Sequence, residues 1–267
     1  MGNMEKKEVV VIGPARSGTS MVAGILYHMG VDMGQGPNPT PSNPKGDFED
    51  DDFRSLNREI FSEAKPGSNV WFPPTEEEID GVESVFEEKI CKLINARDNN
   101  SLWGWKNPWN VMAVPLFIPF LDNPHLIFVF RSPDAIARSG VKHTKRYEKL
   151  TFEEAYRSAV DSNEKLAELV DRYKGSLPIH VIKFEEVMKS PDGEVKKLSE
   201  FLGIELSSEQ LDRVTGFIIP REEIKKERKL GYVRRMGSFA KLLVTNPKKA
   251  IEKLSMVIGR RFNINQG

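Results

Sequence analysis

Short apolar runs alternate along the chain with segments whose apolar residues recur at helical spacing. The apolar runs at 8–13, 102–106, 125–131 and 179–184 are predicted strands, rich in Val, Ile, Leu and Phe. Because helical segments separate these runs, the pattern predicts an α/β fold. In such a fold a central, mostly parallel sheet is covered by helices on both faces.

The helical segments are recognised by their apolar spacing and by signals at their ends. They cover residues 18–29, 50–64, 75–97, 133–146, 151–174, 191–202 and 207–215, and a further helix starts at Pro108. Thr75 with Glu78, and Thr151 with Glu154, have the spacing of a capping box. Residues 30–47, rich in Gly, Pro and Asn, are predicted to form a long irregular loop, and such loops commonly bind ligands or act as lids.

Composition limits the classes of partner. The 267 residues are 39% hydrophobic, enough for one sizeable core. The 39 basic and 39 acidic residues balance, which argues against a nucleic-acid partner. Acidic residues dominate 47–98, and basic residues dominate 221–261, by 13 to 4. We predict a single domain over 1–267 with a basic helical tail from about residue 221.

The basic tail contains one amphipathic segment. Residues 247–261 place Ile251, Leu254 and Ile258 on one stripe among Lys and Arg. Basic amphipathic helices can lie on a membrane surface. We favour docking of this helix on its own domain or on a dimer partner, and the oligomeric state stays open.

Cysteine usage and hydropathy indicate the compartment. Cys91 is the only cysteine of the sequence, so no intrachain disulfide forms, as in proteins of reducing compartments. The first residues contain no long apolar stretch. The longest apolar run, 111–121, is about half the length of a membrane span and contains two prolines. We expect a soluble, cytoplasmic protein.

The segment GPARSGTS at 13–20 lies between the first predicted strand and the first helix. Glycine-bracketed loops in this position direct backbone N–H groups and the helix dipole at an anion. The loop has the GxxxxG of nucleotide-binding P-loops, but Thr19 replaces their lysine and Arg16 supplies the cation. Hydrolysis of a nucleoside triphosphate is therefore not expected. An ordinary turn that contains two glycines is the alternative.

A second anion site is predicted after the strand at 125–131. Arg131 ends that strand at the edge where open α/β sheets bind ligands, and Ser139 follows eight residues later. A guanidinium and a hydroxyl suit a phosphate group. The alternative is a local ion pair between Arg131 and Asp134 at the start of the next helix.

Together, these two motifs resemble the sulfotransferases that use 3′-phosphoadenosine 5′-phosphosulfate (PAPS), in particular the bacterial and carbohydrate-type branch. Three further segments resemble the family: NPKGDFE at 43–49, WGWKNP at 103–108 and HVIKFEEVMKSPDGEVKKLSEFLGI at 180–204. The resemblance spans about residues 8–215. It implies a P-loop-like three-layer α/β/α fold and transfer of a sulfuryl group to a hydroxyl or amine of a sugar, lipid or small molecule.

The resemblance also implies which residues bind the donor. They are Arg16, Ser17, Gly18, Thr19, Ser20, Arg131, Ser139, Arg228 and Lys229. The first loop would hold the 5′-phosphosulfate, and Arg131 with Ser139 the 3′-phosphate. Lys106 would reach the sulfonate, and Arg16 would stabilise the leaving phosphate, whose product is adenosine 3′,5′-bisphosphate. Arg228 and Lys229 resemble the family's basic segment only faintly.

The sequence departs from the family at two positions. Asn107 and Pro108 follow Lys106, so the histidine of the steroid- and phenol-type enzymes is absent. Phe184 stands in place of the usual tyrosine. With the histidine missing, a carboxylate is the candidate base for the acceptor proton, as in carbohydrate- and tyrosine-sulfating members.

Glu49 is the predicted base, because it lies in the segment that resembles the family. Asp47 and His143 are held in reserve, and a solvated acid within the acidic run 47–52 is the alternative for Glu49. Aromatic candidates for the acceptor pocket are Phe53, Trp71, Phe72 and Trp109. No metal is expected, because a single sulfuryl group needs none and no cluster of metal-ligating residues stands out.

Two other functions stay open at this point. A P-loop kinase would bind ATP with Mg²⁺, and the missing loop lysine opposes it. A non-catalytic adaptor would keep the fold and use the basic tail for docking, with both anion sites vestigial.

Overall fold

A computed structural model describes residues 6–40, 43–97, 99–144 and 150–218. Its strands are β1 (Lys7–Ile12), β2 (Leu102–Lys106), β3 (Pro124–Phe130) and β4 (Ile179–Lys183). They form one sheet in the order β2-β1-β3-β4, and every neighbouring pair is parallel. The predicted parallel sheet is confirmed.

The helices follow the predicted segments closely. They are α1 (Thr19–Met29), α2 (Asp51–Ala64), α3 (Glu76–Asp80), α4 (Glu83–Arg97), α5 (Asn110–Phe117), α6 (Pro133–Thr144), α7 (Phe152–Tyr173), α8 (Phe184–Lys189), α9 (Pro191–Leu202) and α10 (Ser208–Phe217), with a 3₁₀ turn at Ile118–Phe120. Both predicted capping boxes are present, and Ser207 with Gln210 forms a third.

One predicted helix was wrong in detail, and one helix was not predicted. The segment 75–97 is two helices rather than one, because α3 ends at Gly81 and α4 begins at Glu83. Glycine is a poor helix former, and here it lies between α3, which buries Ile79, and α4, which buries Phe86, Ile90 and Ile94. Helix α8 was missed, since six residues are too few to show helical periodicity.

Alternate residues of the strands enter two separate cores. Val10 and Ile12 of β1 pack with α2, α4, α5 and α7, whereas Val9 and Val11 pack with α1, α9 and α10. Side chains of a strand point alternately to the two faces of the sheet, so both faces of this one are covered. The three-layer α/β/α arrangement is therefore confirmed.

The strand order positions a crevice. Strand β1 lies between β2 and β3, so the chain moves to one side of β1 first and to the other side later. Ligands of open α/β sheets bind at such a switch point, at the carboxyl ends of the strands. The loop 13–18 after β1 and residues 131–132 after β3 occupy this edge.

The tail predicted from residue 221 lies outside the described residues. Within the described ranges, none of the helices combines the length and the apolar character that crossing a membrane requires.

Candidate active site

The loop after β1 is shaped by close approach of its backbone. A Cβ on Gly13 would lie 2.8 Å from the Val129 carbonyl oxygen of β3, so a side chain does not fit there. Arg16 has φ 69° and Gly18 φ 105°, both in the left-handed region. A non-glycine residue held in that region is uncommon and often marks a functional loop.

The start of α1 directs its amides out of this loop. Hydrogen bonding within the helix begins with Met21 and Val22, whose amides donate to the Gly18 carbonyl. The preceding amides, of Gly18, Thr19 and Ser20, have no intrahelical acceptor, which is the arrangement that binds anions.

Ser17 lies in the interior of the loop after β1. Its amide donates to the Pro14 carbonyl at 3.1 Å. Its hydroxyl is fully buried, and within the described chain it has no hydrogen-bond partner. The structure thus places Ser17 inside the loop with an unpartnered hydroxyl, and its contact with the donor stays a prediction.

Arg131 lies against the loop rather than along its own helix. Its Nη1 donates to the Arg16 carbonyl at 2.8 Å, and its guanidinium lies 4.1 Å from the centre of the Phe184 ring. Asp134 instead accepts two hydrogen bonds from Arg138. The alternative reading, a local ion pair of Arg131 with Asp134, was wrong.

Arg16 connects the two predicted anion sites. Its Nε donates to the Ser139 hydroxyl at 3.1 Å. Sequence reasoning assigned these two residues to opposite ends of the donor. The structure joins them in one network with Arg131, 115 and 123 residues apart in the chain.

Lys106 and Glu49, assigned separately from the sequence, form an ion pair. Lys106 ends β2, and its ammonium donates to Glu49 Oε1 at 2.7 Å. The Lys106 side chain is 2% exposed and that of Glu49 is 17% exposed. Glu49 is therefore not one of a row of solvated acids. A buried cation and a carboxylate lie together near the carboxyl end of the sheet.

The family model for the sulfotransferase family matches residues 8–208, about three quarters of the chain. The chain belongs to the sulfotransferase family. It therefore transfers a sulfuryl group, and the kinase alternative is disfavoured. No curated protein matches the sequence significantly.

Solved structures of sulfotransferases are similar to this one in fold. The sulfotransferase domain of the curacin biosynthetic pathway is 16% identical, with 79% of this chain and 78% of that chain covered and a TM-score of 0.51. The sulfotransferase domain of the Synechococcus PCC 7002 olefin synthase is 17% identical over 79% and 78% of the chains, with a TM-score of 0.48. The enzyme from Alicyclobacillus acidocaldarius is 16% identical over 79% and 90%, with a TM-score of 0.46. The first supports the shared fold.

A buried asparagine network of the sulfotransferase was missed from the sequence. Asn110 Oδ1 accepts from Trp105 Nε1 at 3.3 Å and from Asn57 Nδ2 at 3.2 Å. Its Nδ2 donates to the Val11 carbonyl at 3.1 Å. This network ties β1, β2, α2 and α5 together next to Lys106. A lone Asn gives no sequence signal for such a role.

Phe184 is a second residue that sequence reasoning undervalued. A Cβ on Gly18 would lie 2.4 Å from Phe184 Cδ2, so the ring packs directly on the loop. The same ring lies under the Arg131 guanidinium. Its position in the family's tyrosine segment was the available signal.

Acidic and basic neighbours of the site have structural partners. Asp50 caps α2 and pairs with Arg97. Asp47 accepts from Asn43 Nδ2 at 2.8 Å within the 43–49 segment, and His143 lies in the last turn of α6.

The described residues contain no group of three or more His, Cys, Asp or Glu side chains arranged to hold a metal ion. Arg228 and Lys229 lie outside the described residues.

The four aromatic candidates for the acceptor pocket have different surroundings. Phe53 stacks on Trp105 at 4.3 Å in the core, and Trp71 packs on Gly140. Phe72 is 48% exposed. Trp109 lines a cleft and stacks on Phe61 at 4.4 Å. Phe53 and Trp71 belong to buried hydrophobic clusters, and contact of any of the four with an acceptor stays a prediction.

Proposed function

We propose that this sulfotransferase uses PAPS as its donor, with Lys106 and Glu49 at the point of transfer. The observation that carries the proposal is the 2.7 Å ion pair between these two residues. It joins a cation suited to the sulfonate and a carboxylate suited to the acceptor proton. The family match supports sulfuryl transfer, and the pair supplies the two charges that the reaction needs.

The residues around loop 13–18 fit a donor that carries two separated phosphate groups. The amides of Gly18, Thr19 and Ser20 and the dipole of α1 would hold the 5′ group. Arg131 and Ser139 would hold the 3′ group. Arg16 would serve both, since its backbone belongs to the loop and its side chain reaches Ser139. The Phe184 ring packs on Gly18 at the start of α1, where a side chain at position 18 would collide with it.

Catalysis would depend on position and charge. By analogy with phosphoryl transfer, the acceptor oxygen, the sulfur and the departing oxygen lie in line in a loose transition state. The acceptor oxygen bonds to sulfur as the sulfur–oxygen bond to the phosphate breaks, and the phosphate keeps the electron pair. Lys106 stabilises the negative charge on the transferring and leaving oxygens. Glu49 takes the acceptor proton.

Thermal unfolding with added ligands tests the donor. Adenosine 3′,5′-bisphosphate without metal should stabilise the protein, by about 2.7 kcal/mol at a hundredfold excess over its Kd. ATP with Mg²⁺ should not. Arg131→Ala should abolish the stabilisation. Arg138→Ala, which loses an exposed pair with Asp134 on the same segment, should retain it. Stabilisation by ATP with Mg²⁺ alone would favour the kinase, and stabilisation by neither ligand would favour the adaptor.

Glu49→Gln tests the base. It removes the proton acceptor but keeps the size and hydrogen-bonding capacity of the side chain. We expect kcat to fall by about 10²–10⁴, while the affinity for adenosine 3′,5′-bisphosphate stays within about threefold. Asp51→Asn, an exposed neighbour, is the matched control and should leave kcat unchanged. Intact turnover in Glu49→Gln would contradict the assignment of Glu49 as the base.

A further inference from the structure

The side chain of Asn110, the first residue of α5, makes hydrogen bonds to three other elements. Its Nδ2 donates to the Val11 carbonyl of β1 at 3.1 Å. Its Oδ1 accepts from Trp105 of β2 at 3.3 Å and from Asn57 of α2 at 3.2 Å. All four residues are 0% exposed. Because these contacts are shielded from water, they hold the four elements in fixed relative positions.

The two contacts with strands lie beside the residues that the proposed reaction uses. Val11 is in register with Lys106 and comes two residues before the loop 13–18. Trp105 comes directly before Lys106, with which β2 ends. Backbone hydrogen bonds keep the spacing of parallel strands, but only as far as the strands run. Asn110 therefore connects β1 and β2 at their carboxyl ends, just before the chain continues into the loop on one side and beyond Lys106 on the other.

The contact with Asn57 extends this connection to the helix that follows the predicted base. Glu49 comes directly before the N-cap of α2, and Asn57 lies about two turns into that helix. The same amide group of Asn110 thus contacts the elements that carry the anion loop, Lys106 and Glu49.

The network is not the arrangement that stability alone favours. Asn57 Oδ1 is buried, and no group in the described part of the chain is its hydrogen-bond partner. A buried polar atom without a partner destabilises a protein, and apolar side chains of the same shape could fill the space at a lower cost. Hydrogen bonds are directional, however, and fix one arrangement where apolar contacts tolerate several. This favours a role for the network in placing the elements that meet at the site.

We propose that Asn110 is a positioning residue for sulfuryl transfer, which sets the distance between the Lys106 ammonium and the loop 13–18. The inference rests on the proposed function, because Lys106 must act on a sulfonate held at that loop. Asn110 is fully buried, so it acts through the segments it joins rather than by contact with a substrate. An error of about 1 Å in the position of a reacting group can lower a rate by about a hundredfold.

Asn110→Leu tests the inference, since leucine keeps the approximate shape of asparagine and loses all three hydrogen bonds. Asn123→Leu is the matched control. Asn123 Nδ2 also donates to a backbone carbonyl, that of Lys6 at 2.7 Å, but it does so at the amino end of the sheet. Lys106→Met and the double variant of Lys106→Met with Asn110→Leu complete the set.

Turnover is measured as release of adenosine 3′,5′-bisphosphate from PAPS, at a temperature well below the melting temperature of every variant. Phenol, hexanol and methyl glucoside are supplied together as probe acceptors, and transfer to water is counted as well. The affinity for adenosine 3′,5′-bisphosphate is measured separately by calorimetry.

We expect the melting temperature to fall in both Asn110→Leu and Asn123→Leu, because each loses hydrogen bonds. Turnover should fall by about tenfold or more in Asn110→Leu alone, while its affinity for the bisphosphate stays within about threefold. In the protein that already carries Lys106→Met, Asn110→Leu should lower turnover by less than about threefold further, since the side chain that it positions is gone. A purely structural role would change the melting temperature only.

The inference is overturned if Asn110→Leu turns over as the unmodified protein does, if Asn123→Leu loses as much turnover, or if the losses from Asn110→Leu and Lys106→Met multiply. Should Asn110→Leu not fold, Asn57→Leu removes one bond of the same network. A loss of turnover of about threefold or more in that variant supports the inference, and unchanged turnover overturns it. Full turnover in Lys106→Met would overturn the proposed function together with this inference, whereas the other outcomes leave the proposed function standing.

Discussion

The missing Cβ of Gly18 allows the Phe184 ring to pack between the loop 13–18 and Arg131. Gly18 has φ 105°, and the space where a Cβ would stand is filled by the Phe184 ring. That ring in turn lies 4.1 Å from the Arg131 guanidinium. A methyl group at position 18 would therefore displace the ring and, through it, the cation.

Gly18→Ala and Gly30→Ala separate this contact from backbone strain. Both glycines have φ near +100°, but a Cβ on Gly30 meets nothing within 4 Å. Each substitution should cost stability, by about 1 kcal/mol or more. Affinity for adenosine 3′,5′-bisphosphate, measured by calorimetry, should fall by about tenfold in Gly18→Ala and stay nearly unchanged in Gly30→Ala. Equal affinities in the two variants would show that Phe184 does not position Arg131.

The buried pair of Lys106 and Glu49 makes a second prediction for single residues. Lys106→Met leaves the Glu49 carboxylate mostly buried beside an apolar side chain. Stability should fall by about 3 kcal/mol. The double variant with Glu49→Gln should recover much of that loss while staying inactive, since no buried charge remains unpaired. Urea denaturation of the two single variants and the double variant measures the effect, and a double variant no more stable than Lys106→Met would contradict it.

At the scale of elements, the start of α2 positions the predicted base. The Asp50 carboxylate accepts from the amides of Asp52 and Phe53, and it also pairs with Arg97 at the end of α4. A Cβ on Gly34 would strike the same carboxylate, so the long loop packs against this cap as well. Glu49 precedes Asp50 directly. Its direction therefore depends on a cap shared by two helices and a loop.

Asp50→Ala should lower both stability and turnover. The lost cap is worth about 1 kcal/mol, and the unpaired Arg97 adds to the cost. We expect an unfolding free energy lower by about 2 kcal/mol and a reduced kcat, because α2 no longer holds Glu49. Asp51→Ala, at an exposed position in the first turn, is the control and should change neither by much. Chemical denaturation and a turnover assay give the two readings.

At the scale of the whole molecule, the helix layers are tied together by charges far from the site. Glu76 of α3 accepts hydrogen bonds from Lys165 and Arg172 of α7. These hydrogen bonds lower the pKa of the Glu76 carboxyl below its ordinary value of 4.5. They join α3 to α7, the longest of the described helices. Glu76 lies 89 residues from Lys165 and 96 residues from Arg172 along the chain.

The stabilisation that Glu76 provides should be present at neutral pH and lost in acid. A carboxyl whose pKa is lowered by folding stabilises the protein above its ordinary pKa and loses this effect as the pH falls through the lowered value. Because Glu76 is partly exposed, its contribution should be below about 1 kcal/mol. Glu76→Gln should thus lower the melting temperature by about 2 °C at pH 7. This difference should shrink steadily below pH 4.5, whereas Glu77→Gln, an exposed neighbour, should show none. A difference that persists at acid pH would refute the assignment.

The local features of the fold could be predicted from the sequence. The strands, most of the helices and the two capping boxes were predicted close to their observed bounds, because apolar period and end signals act over a few neighbouring residues. The break at Gly81 and the short helix α8 were not predicted. Both depend on tertiary packing, which the spacing of apolar residues along the chain does not show.

The sequence by itself determined the alternation of strands and helices, the family and the residue types at the anion loops, since these follow from local spacing and short motifs. The tertiary structure alone decided which of those residues meet. It paired Lys106 with Glu49 across 57 positions and Arg16 with Ser139 across 123. It also buried Trp71 and brought Phe184 beneath Arg131. Such contacts depend on strand order and side-chain direction, which bring distant parts of the chain together and leave no mark in the spacing of residues.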